Sequence, residues 1–150
     1  YQPYAKLGWV LFELEEYEDA IDAFDQVVFL DPENASGYKG LAYSYKQLQN
    51  ENMAYEYQQM WAEWAPSDPE AHTQLGWSLY TQQDFGAAIQ AFSAALNLGP
   101  ENFSALSGRG QAYYYSVENG CKKAIPDFEA ALGIRPGDER MTELLTKCES

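Results

Sequence analysis

The first thirty residues contain two runs of apolar side chains that recur at helical spacing. The apolar residues are Leu7, Val10, Leu11 and Leu14 in the first run and Ala20, Phe24, Val27 and Val28 in the second. Apolar residues three and four positions apart lie on one side of an α-helix. The pattern therefore predicts a helical hairpin, with helices from about Tyr4 to Leu14 and from about Glu18 to Leu30. Pro32 ends the second helix, because proline cannot continue it.

The same pattern returns every 34 residues along the chain. Its alanine recurs as Ala20, Ala54, Ala88 and, two residues late, Ala124, and its proline recurs as Pro32, Pro66, Pro100 and Pro136. A fixed period of this length is typical of stacked supersecondary units. It predicts four copies, at about residues 1–34, 35–68, 69–102 and 103–138. The last copy has a longer turn at residues 117–120.

A helix start signal falls at the end of each copy. The residues there are Asn34, Asp68, Asn102 and, after the longer turn, Asp138. Asn and Asp are preferred N-caps, since their side-chain oxygens accept the free N–H groups of the first helical turn. We therefore expect a new helix to begin directly after each of these four residues.

The repeated pattern resembles the tetratricopeptide repeat (TPR) family. The residues that carry the resemblance in the first copy are Tyr4, Leu7, Gly8, Leu11, Ala20, Phe24 and Pro32. The resemblance implies an all-α protein, a right-handed α-solenoid of four helical hairpins. A capping helix at about residues 138–148 would complete a single domain over residues 1–150. A fold of this kind does not by itself specify a function, because function lies in sites.

Small residues predict where the two helices of a hairpin cross. Gly8 and Ala20 are small because a larger side chain would push the helices apart, and Phe24 fills the space below them. The second copy departs from this pattern, with Gln58 in place of the phenylalanine and with Trp61 and Trp64 nearby. These residues indicate either a locally repacked core or an outward aromatic patch for a partner.

The resemblance also implies a candidate binding groove, because the first helix of each TPR hairpin lines the concave face. The groove residues that we expect to bind a ligand are Lys6, Trp9, Phe12, Lys39, Tyr43, Lys46, Trp77, Tyr80 and Tyr114. Trp9, Tyr43 and Trp77 share the ninth position of their copies, where the family more often has Asn. Exposed Trp and Tyr are enriched among binding hot spots. For the rings at the twelfth position, packing between neighbouring helices is the alternative to ligand contact.

Charge narrows the class of partner. The chain has 23 acidic and 9 basic residues and a net charge of −14, which disfavours nucleic acid and anionic membranes. Lys6, Lys39 and Lys46 are the basic residues that precede Arg109, and all three fall on groove positions. We therefore expect a protein partner with an extended apolar or aromatic segment and some acidic residues.

The groove does not match the TPR subgroup that clamps the acidic C-termini of heat-shock chaperones. That subgroup needs Lys, Asn and Arg at defined groove positions. Here those positions hold Ala5, Trp9, Gly40, Glu70 and Gln74. The sequence therefore predicts no carboxylate clamp of that kind.

Catalytic, cofactor and metal chemistry finds little support. His72 is the single histidine, no Cys/His cluster has metal-ligand spacing, and no glycine-rich phosphate loop follows a strand. We predict no catalytic residue, no cofactor and no metal.

Cys121 and Cys148 are too few for a disulfide framework, and we expect two unpaired thiols, with cytoplasm and periplasm both open as compartments. No apolar run is long enough for a membrane span. The chain opens at the first position of a repeat, so we expect a piece of a longer protein or a processed form.

Together these features predict a non-enzymatic protein–protein interaction scaffold that holds a partner peptide in an aromatic-lined concave groove. A carbohydrate-binding or cell-envelope assembly and export scaffold is one alternative, since aromatic faces also stack on sugar rings. An intramolecular or self-association module is another. Oligosaccharide titration tests the first alternative, and the dependence of the solution mass on concentration would show self-association. Intramolecular docking would be visible only in a longer form of the protein.

Overall fold

The computed structural model describes residues 1–116 and 120–150, and every element in this part of the chain is an α-helix. The helices are α1 (Gln2–Glu13), α2 (Tyr17–Leu30), α3 (Ala35–Gln47), α4 (Glu51–Trp64), α5 (Pro69–Thr81), α6 (Phe85–Leu98), α7 (Phe103–Ser116), α8 (Gly120–Ile134) and α9 (Glu139–Glu149). They form stacked hairpins of the TPR type, which confirms the all-α solenoid fold. Most of the longer turn expected at residues 117–120 lies outside the described residues.

The four helix start signals are confirmed. The side chains of Asn34, Asp68, Asn102 and Asp138 accept backbone N–H groups of the first turns of α3, α5, α7 and α9. Pro69 lies at the first position of α5, where its missing N–H costs nothing. These caps fix where α3, α5, α7 and α9 begin.

The described residues divide into two compact units, of which the first is Tyr1–Pro66 with helices α1 to α4. Its core is formed by Ala20, Ile21, Phe24 and Leu41. The expected helix crossing is confirmed, because a Cβ atom placed on Gly8 would lie 2.7 Å from the ring of Phe24. Gly40 of α3 lies against the same ring, so Phe24 occupies the space between two helices that both approach it closely.

The irregular second copy is repacked around a tryptophan. Trp61 is 1% exposed, whereas Trp64 stays on the surface. Gln58 replaces the usual phenylalanine and is 2% exposed, and its Oε1 atom has no hydrogen-bond partner in the part of the chain that the structure describes. The repacked-core interpretation is therefore correct for Trp61.

The second unit, Ser67–Ser150, contains α5 to α9. Phe92 of α6 lies between Gly76 and Gly108, as Phe24 does in the first unit. A partly buried ion pair joins α7 and α8, because the Arg109 guanidinium donates to both Asp127 oxygens at 2.7 and 2.8 Å. A third donor of Arg109 reaches the Ser93 hydroxyl at 3.2 Å, so this side chain ties α7 to α8 and α6.

The predicted capping helix is present as α9, with Met141 and Leu144 buried. The expectation of two unpaired thiols is wrong, because Cys121 and Cys148 form a disulfide whose Cα atoms are 5.0 Å apart. The two residues are 27 positions apart in sequence. The antiparallel packing of α9 on α8 brings the start of one helix to the end of the other. Sequence spacing alone does not reveal that approach.

Candidate functional site

The candidate site residues of the first unit form a continuous series of aromatic rings. Trp9 packs its edge on the buried ring of Phe24, with 5.0 Å between centroids, and on Phe12 at 5.8 Å. Phe12 in turn contacts Tyr43 of α3 at 6.3 Å. The faces of α1 and α3 are therefore joined by rings that are partly buried and partly open to solvent.

The three lysines expected in the groove differ in their surroundings. Lys39 holds its ammonium group 5.0 Å from the Trp61 ring centroid and 6.0 Å from that of Tyr43, which are cation–π distances. Lys6 is exposed on α1. Lys46 is partly buried near the end of α3. Positive charge thus lies beside the aromatic series of the first unit.

The second unit repeats the arrangement of the first. Trp77 packs on the buried Phe92 at 5.3 Å and on Tyr80 at 5.5 Å. The indole Nε1 of Trp77 also donates a hydrogen bond to the Ser104 hydroxyl at 2.8 Å, which fixes the ring against α7. In both units the tryptophan at the ninth position therefore packs against a buried phenylalanine.

An open cavity of about 550 Å³ lies beside these rings in the second unit. It is lined by Tyr80, Thr81, Gln83, Phe85 and Tyr115. Tyr80 contacts Phe85 at 5.4 Å and Tyr115 at 6.4 Å, and Phe85 stacks with Tyr115 at 6.3 Å. Three aromatic rings and two polar side chains therefore surround a space large enough for a ligand side chain or ring.

A cation, Arg140, lies near Tyr80, which is one of the residues that line the cavity. Arg140 of α9 donates to the buried amide oxygen of Gln111 at 3.0 Å, which positions the guanidinium group. It also lies close enough to Tyr80 to influence the pKa of that phenol. Burial and the neighbouring Tyr115 raise the pKa of Tyr80 above its ordinary value, and Arg140 opposes that rise. Tyr80 therefore stays protonated at neutral pH and can donate or accept a hydrogen bond.

The structure brings together Trp9, Phe12, Lys39 and Tyr43 in the first unit and Trp77, Tyr80 and Tyr114 in the second. It adds three residues that the sequence analysis did not select. Tyr114 lies against Tyr115, with 4.9 Å between ring centroids. Phe85, Tyr115 and Arg140 were missed. The signal for Phe85 was available in the repeat, because Tyr17 and Phe85 share the seventeenth position of their copies. Each contacts the ring at the twelfth position, at 5.3 Å for Tyr17 and Phe12.

The described residues contain no group of three or more His, Cys, Asp or Glu side chains that could hold a metal ion. His72 is partly buried on α5. None of the helices in residues 1–116 and 120–150 is long and apolar enough to cross a membrane. The arrangement of rings, hydroxyls and cations can bind apolar and hydrogen-bonding groups.

Two family models match the chain. One, described as a tetratricopeptide repeat, matches residues 73–139, and another, described as a TPR repeat, matches residues 8–49. A curated relative, the CTR9 homolog of Arabidopsis thaliana, is 30% identical over 136 residues. The match covers 87% of this chain but 12% of that protein, so the chain spans a small part of the relative's length.

Solved structures with similar folds include MamA and pilF. A MamA crystal structure is 24% identical, with a TM-score of 0.90 over 98% of this chain and 79% of that one. MamA from Desulfovibrio magneticus RS-1 is 20% identical, with a TM-score of 0.77 over 92% and 77% of the two chains. The pilF protein of Pseudomonas aeruginosa is 18% identical, with a TM-score of 0.79 over 98% and 66%. At these identities the similarity shows the fold alone.

Proposed function

Since the chain belongs to the tetratricopeptide repeat family, we propose that it is a non-enzymatic scaffold that binds an extended peptide segment of a partner on the first-helix faces of its hairpins. TPR solenoids are in general protein–protein interaction scaffolds and are generally not catalytic. In the first unit the contacts would come from Lys6, Trp9, Phe12, Lys39, Tyr43 and Lys46. In the second they would come from Trp77, Tyr80, Tyr114 and Tyr115 on the first helices, and also from Phe85 of α6 and Arg140 of α9.

The observation that carries this proposal is the aromatic cavity of the second unit. Its lining residues Tyr80, Phe85 and Tyr115 present apolar ring faces, and leaving such faces exposed to water is unfavourable. Thr81 and Gln83 can form hydrogen bonds at its edge. Pockets that combine apolar walls with a few polar groups are typical of binding sites. A bulky apolar or aromatic side chain of the partner fits this space.

The charges beside the rings favour a partner segment with some carboxylates. Lys39 lies over Trp61 in the first unit, and Arg140 lies near Tyr80 of the cavity in the second. A carboxylate on the bound segment would gain a charge-assisted hydrogen bond from either cation. This combination supports the partner chemistry expected from the sequence, an apolar or aromatic segment with acidic residues.

Peptide selection tests the proposal. A random peptide library displayed on phage is panned on the folded protein, and the enriched peptides are synthesised and titrated by calorimetry. Tyr115→Ala is the test variant because Tyr115 is exposed and lines the cavity. We expect this substitution to weaken binding by about 1 to 2 kcal/mol, as for an aromatic contact at a hot spot.

The matched control is Phe29→Gln, which removes an exposed aromatic side chain outside the cavity. Enriched peptides that bind the wild type and the Tyr115→Ala variant equally would contradict the cavity as the binding site. Enriched peptides without aromatic, bulky apolar or acidic residues would contradict the partner chemistry.

Stacking of a sugar ring is the second function that the cavity favours, because aromatic faces beside Thr81 and Gln83 suit a carbohydrate equally well. Titration with maltohexaose and chitohexaose, followed by tryptophan fluorescence, tests it, since Trp77 contacts Tyr80 at the cavity wall. A saturable change that Tyr115→Ala abolishes would favour a carbohydrate-binding scaffold over a peptide-binding one.

A further inference from the structure

The disulfide between Cys121 and Cys148 links the capping helix α9 to the start of α8. Cys121 is the second residue of α8, and Cys148 lies in the last turn of α9. Both residues are partly exposed, so a reductant can reach the bond from solvent. Exposed disulfides are more readily reduced than enclosed structural ones and are often regulatory. This bond can therefore respond to the redox state of its surroundings.

The helix that the disulfide restrains also carries a cation to the candidate site. Arg140, in the first turn of α9, donates from its Nε to the Oε1 atom of Gln111 at 3.0 Å. It also lies near Tyr80. Gln111 has the ninth position of the fourth copy, which Trp9 and Trp77 have in the first and third copies. Through Arg140, α9 therefore reaches the face of α7 on which the site residues lie.

Non-covalent contacts hold α9 together with the disulfide. Met141 and Leu144 are buried where α9 packs on α8, and Arg140 is hydrogen-bonded to Gln111. An isolated helix of 11 residues is marginal in water, so α9 depends on these contacts to stay folded. Contacts of this kind open locally in the folded state. The disulfide restrains Cys148 even while they are open, and it therefore favours the closed position of α9.

We propose that the disulfide between Cys121 and Cys148 is a redox-sensitive link that keeps Arg140 of α9 near Tyr80 of the second-unit cavity. The oxidised form binds acidic partner segments, and the reduced form binds them more weakly. This inference rests on the proposed function, because the ligand is the same apolar or aromatic segment with carboxylates.

The rings and the cation of the site should respond differently to reduction. The rings of Tyr80, Phe85 and Tyr115 belong to α5, α6 and α7, which the disulfide does not link. Their apolar contacts with a partner should therefore stay the same. Arg140 belongs to α9, and a carboxylate that pairs with it loses a charge-assisted hydrogen bond whenever α9 is open. Reduction should weaken the binding of segments that place a carboxylate at Arg140.

A dithiol reductant supplies the two electrons by thiol–disulfide exchange. A thiolate of the reductant attacks the Sγ atom of Cys148, the S–S bond breaks, and its electron pair leaves with Sγ of Cys121. Cys121 is the better leaving group, because the N-terminal end of α8 and the adjacent Lys122 and Lys123 stabilise a thiolate. The second thiol of the reductant then displaces Cys148. Both thiolates take up the protons that the reductant gives up, and the dithiol becomes a disulfide.

Hydrogen exchange of the backbone amides tests the control of α9. Mass spectrometry compares the oxidised wild type, the wild type reduced with dithiothreitol, and the variant Cys121→Ser/Cys148→Ser. In the reduced protein and in the variant we expect the amides of α9 to exchange about tenfold faster or more, because the helix opens more often without the link. The amides of α5 and α6 are the internal control and should change less.

Peptide binding tests the control of the site. A random peptide library displayed on phage is panned in parallel on the oxidised wild type and on Cys121→Ser/Cys148→Ser. The enriched peptides are synthesised as selected and again with Asp and Glu replaced by Asn and Gln. We expect acidic peptides from the oxidised protein to bind the reduced wild type about five- to tenfold more weakly. The amide versions should bind both forms equally.

The variant Arg140→Gln tests whether the effect passes through this side chain. In its oxidised form it should bind the acidic peptides as weakly as the reduced wild type does, and reduction should cause little further loss, because both changes remove the same contact. The matched control is Arg135→Gln, which changes an exposed arginine that does not line the cavity and should bind these peptides normally.

Several outcomes would overturn the proposal. One is equal exchange of the α9 amides in the oxidised and reduced proteins, and another is unchanged binding of acidic peptides by Arg140→Gln. Loss of all helical circular dichroism on reduction would show that the bond holds the whole fold, and it would overturn the proposal as well.

Failure of the proposed function is distinguishable from failure of this inference. Peptides selected on neither form would overturn the proposed function and the binding effect of reduction with it, even where α9 opens on reduction. Acidic peptides that bind both redox forms equally, and that Tyr115→Ala weakens, would leave the proposed function standing and would overturn the redox control alone.

Discussion

The disulfide between Cys121 and Cys148 closes a loop that contains most of α8 and α9. Linking two residues 27 positions apart removes conformational entropy from the unfolded chain, which for a loop of this length corresponds to about 3.5 kcal/mol. Few packing contacts would hold α9 in place without the disulfide, because α9 buries Met141 and Leu144 but leaves most of its other side chains exposed. We therefore expect reduction to lower the free energy of unfolding by about that amount.

Thermal unfolding followed by circular dichroism measures this effect. A destabilisation of this size should lower the unfolding midpoint of a chain of 150 residues by roughly 10 °C when a phosphine reductant is added. The double variant Cys121→Ser/Cys148→Ser is the control. Its midpoint should match that of the reduced wild type and should not respond to the reductant.

Two results would refute this reasoning. Thiol titration of the unreduced native protein could find two reactive cysteines, in which case the pair is not bonded. Alternatively, the oxidised and reduced proteins could unfold at the same temperature while thiol titration confirms that the bond is intact before reduction. The loop-entropy argument would then fail although the bond exists.

Three further perturbations test the interior. Asp127→Ala should lower the free energy of unfolding in urea by about 2 kcal/mol, because it leaves the Arg109 guanidinium, one quarter exposed, without its carboxylate. Glu143→Ala, in an exposed ion pair, is the control and should have little effect. Equal effects of the two substitutions would contradict this reasoning. Gln58→Met should raise the free energy of unfolding by about 1 kcal/mol, because it removes the buried Oε1 without a partner among the described residues; a decrease would show that Oε1 is satisfied in solution. Burial, and next the charge of a nearby carboxylate, raise the pKa of Tyr57 to about 12. Between pH 10 and 12 the unfolded phenol loses its proton while the folded one keeps it, so wild-type stability should fall by about 1 kcal/mol more than that of Tyr57→Phe, after allowance for the partial exposure of the ring.

The helices and their order could be predicted from the sequence because each local signal agrees with the repeat. The caps at Asn34, Asp68, Asn102 and Asp138 are local hydrogen bonds, and they depend on a side chain and the three residues that follow it. The contact of Phe24 with Gly8 could also be predicted, because the two positions recur together and glycine permits a close helix crossing. Patterns of this kind depend on near neighbours and on the period.

The site was harder to predict because its residues come from different parts of the repeat. Arg140 reaches Tyr80 and Gln111 from α9, which carries no TPR pattern of its own. The disulfide pairs the start of α8 with the end of α9 for the same reason. Neither approach follows from spacing, since both depend on how a capping helix packs on the helices before it.

The tryptophans at the ninth position show that one residue can belong both to the core and to a binding site. Trp9 and Trp77 each place one edge on a fully buried phenylalanine, so their replacement by alanine would remove core packing together with any ligand contact. Loss of binding in such a variant would not identify the site. Tyr115 does not have this double role to the same degree, because its ring is exposed and contacts other rings of the cavity. The exposed member of an aromatic cluster is therefore the better test of function.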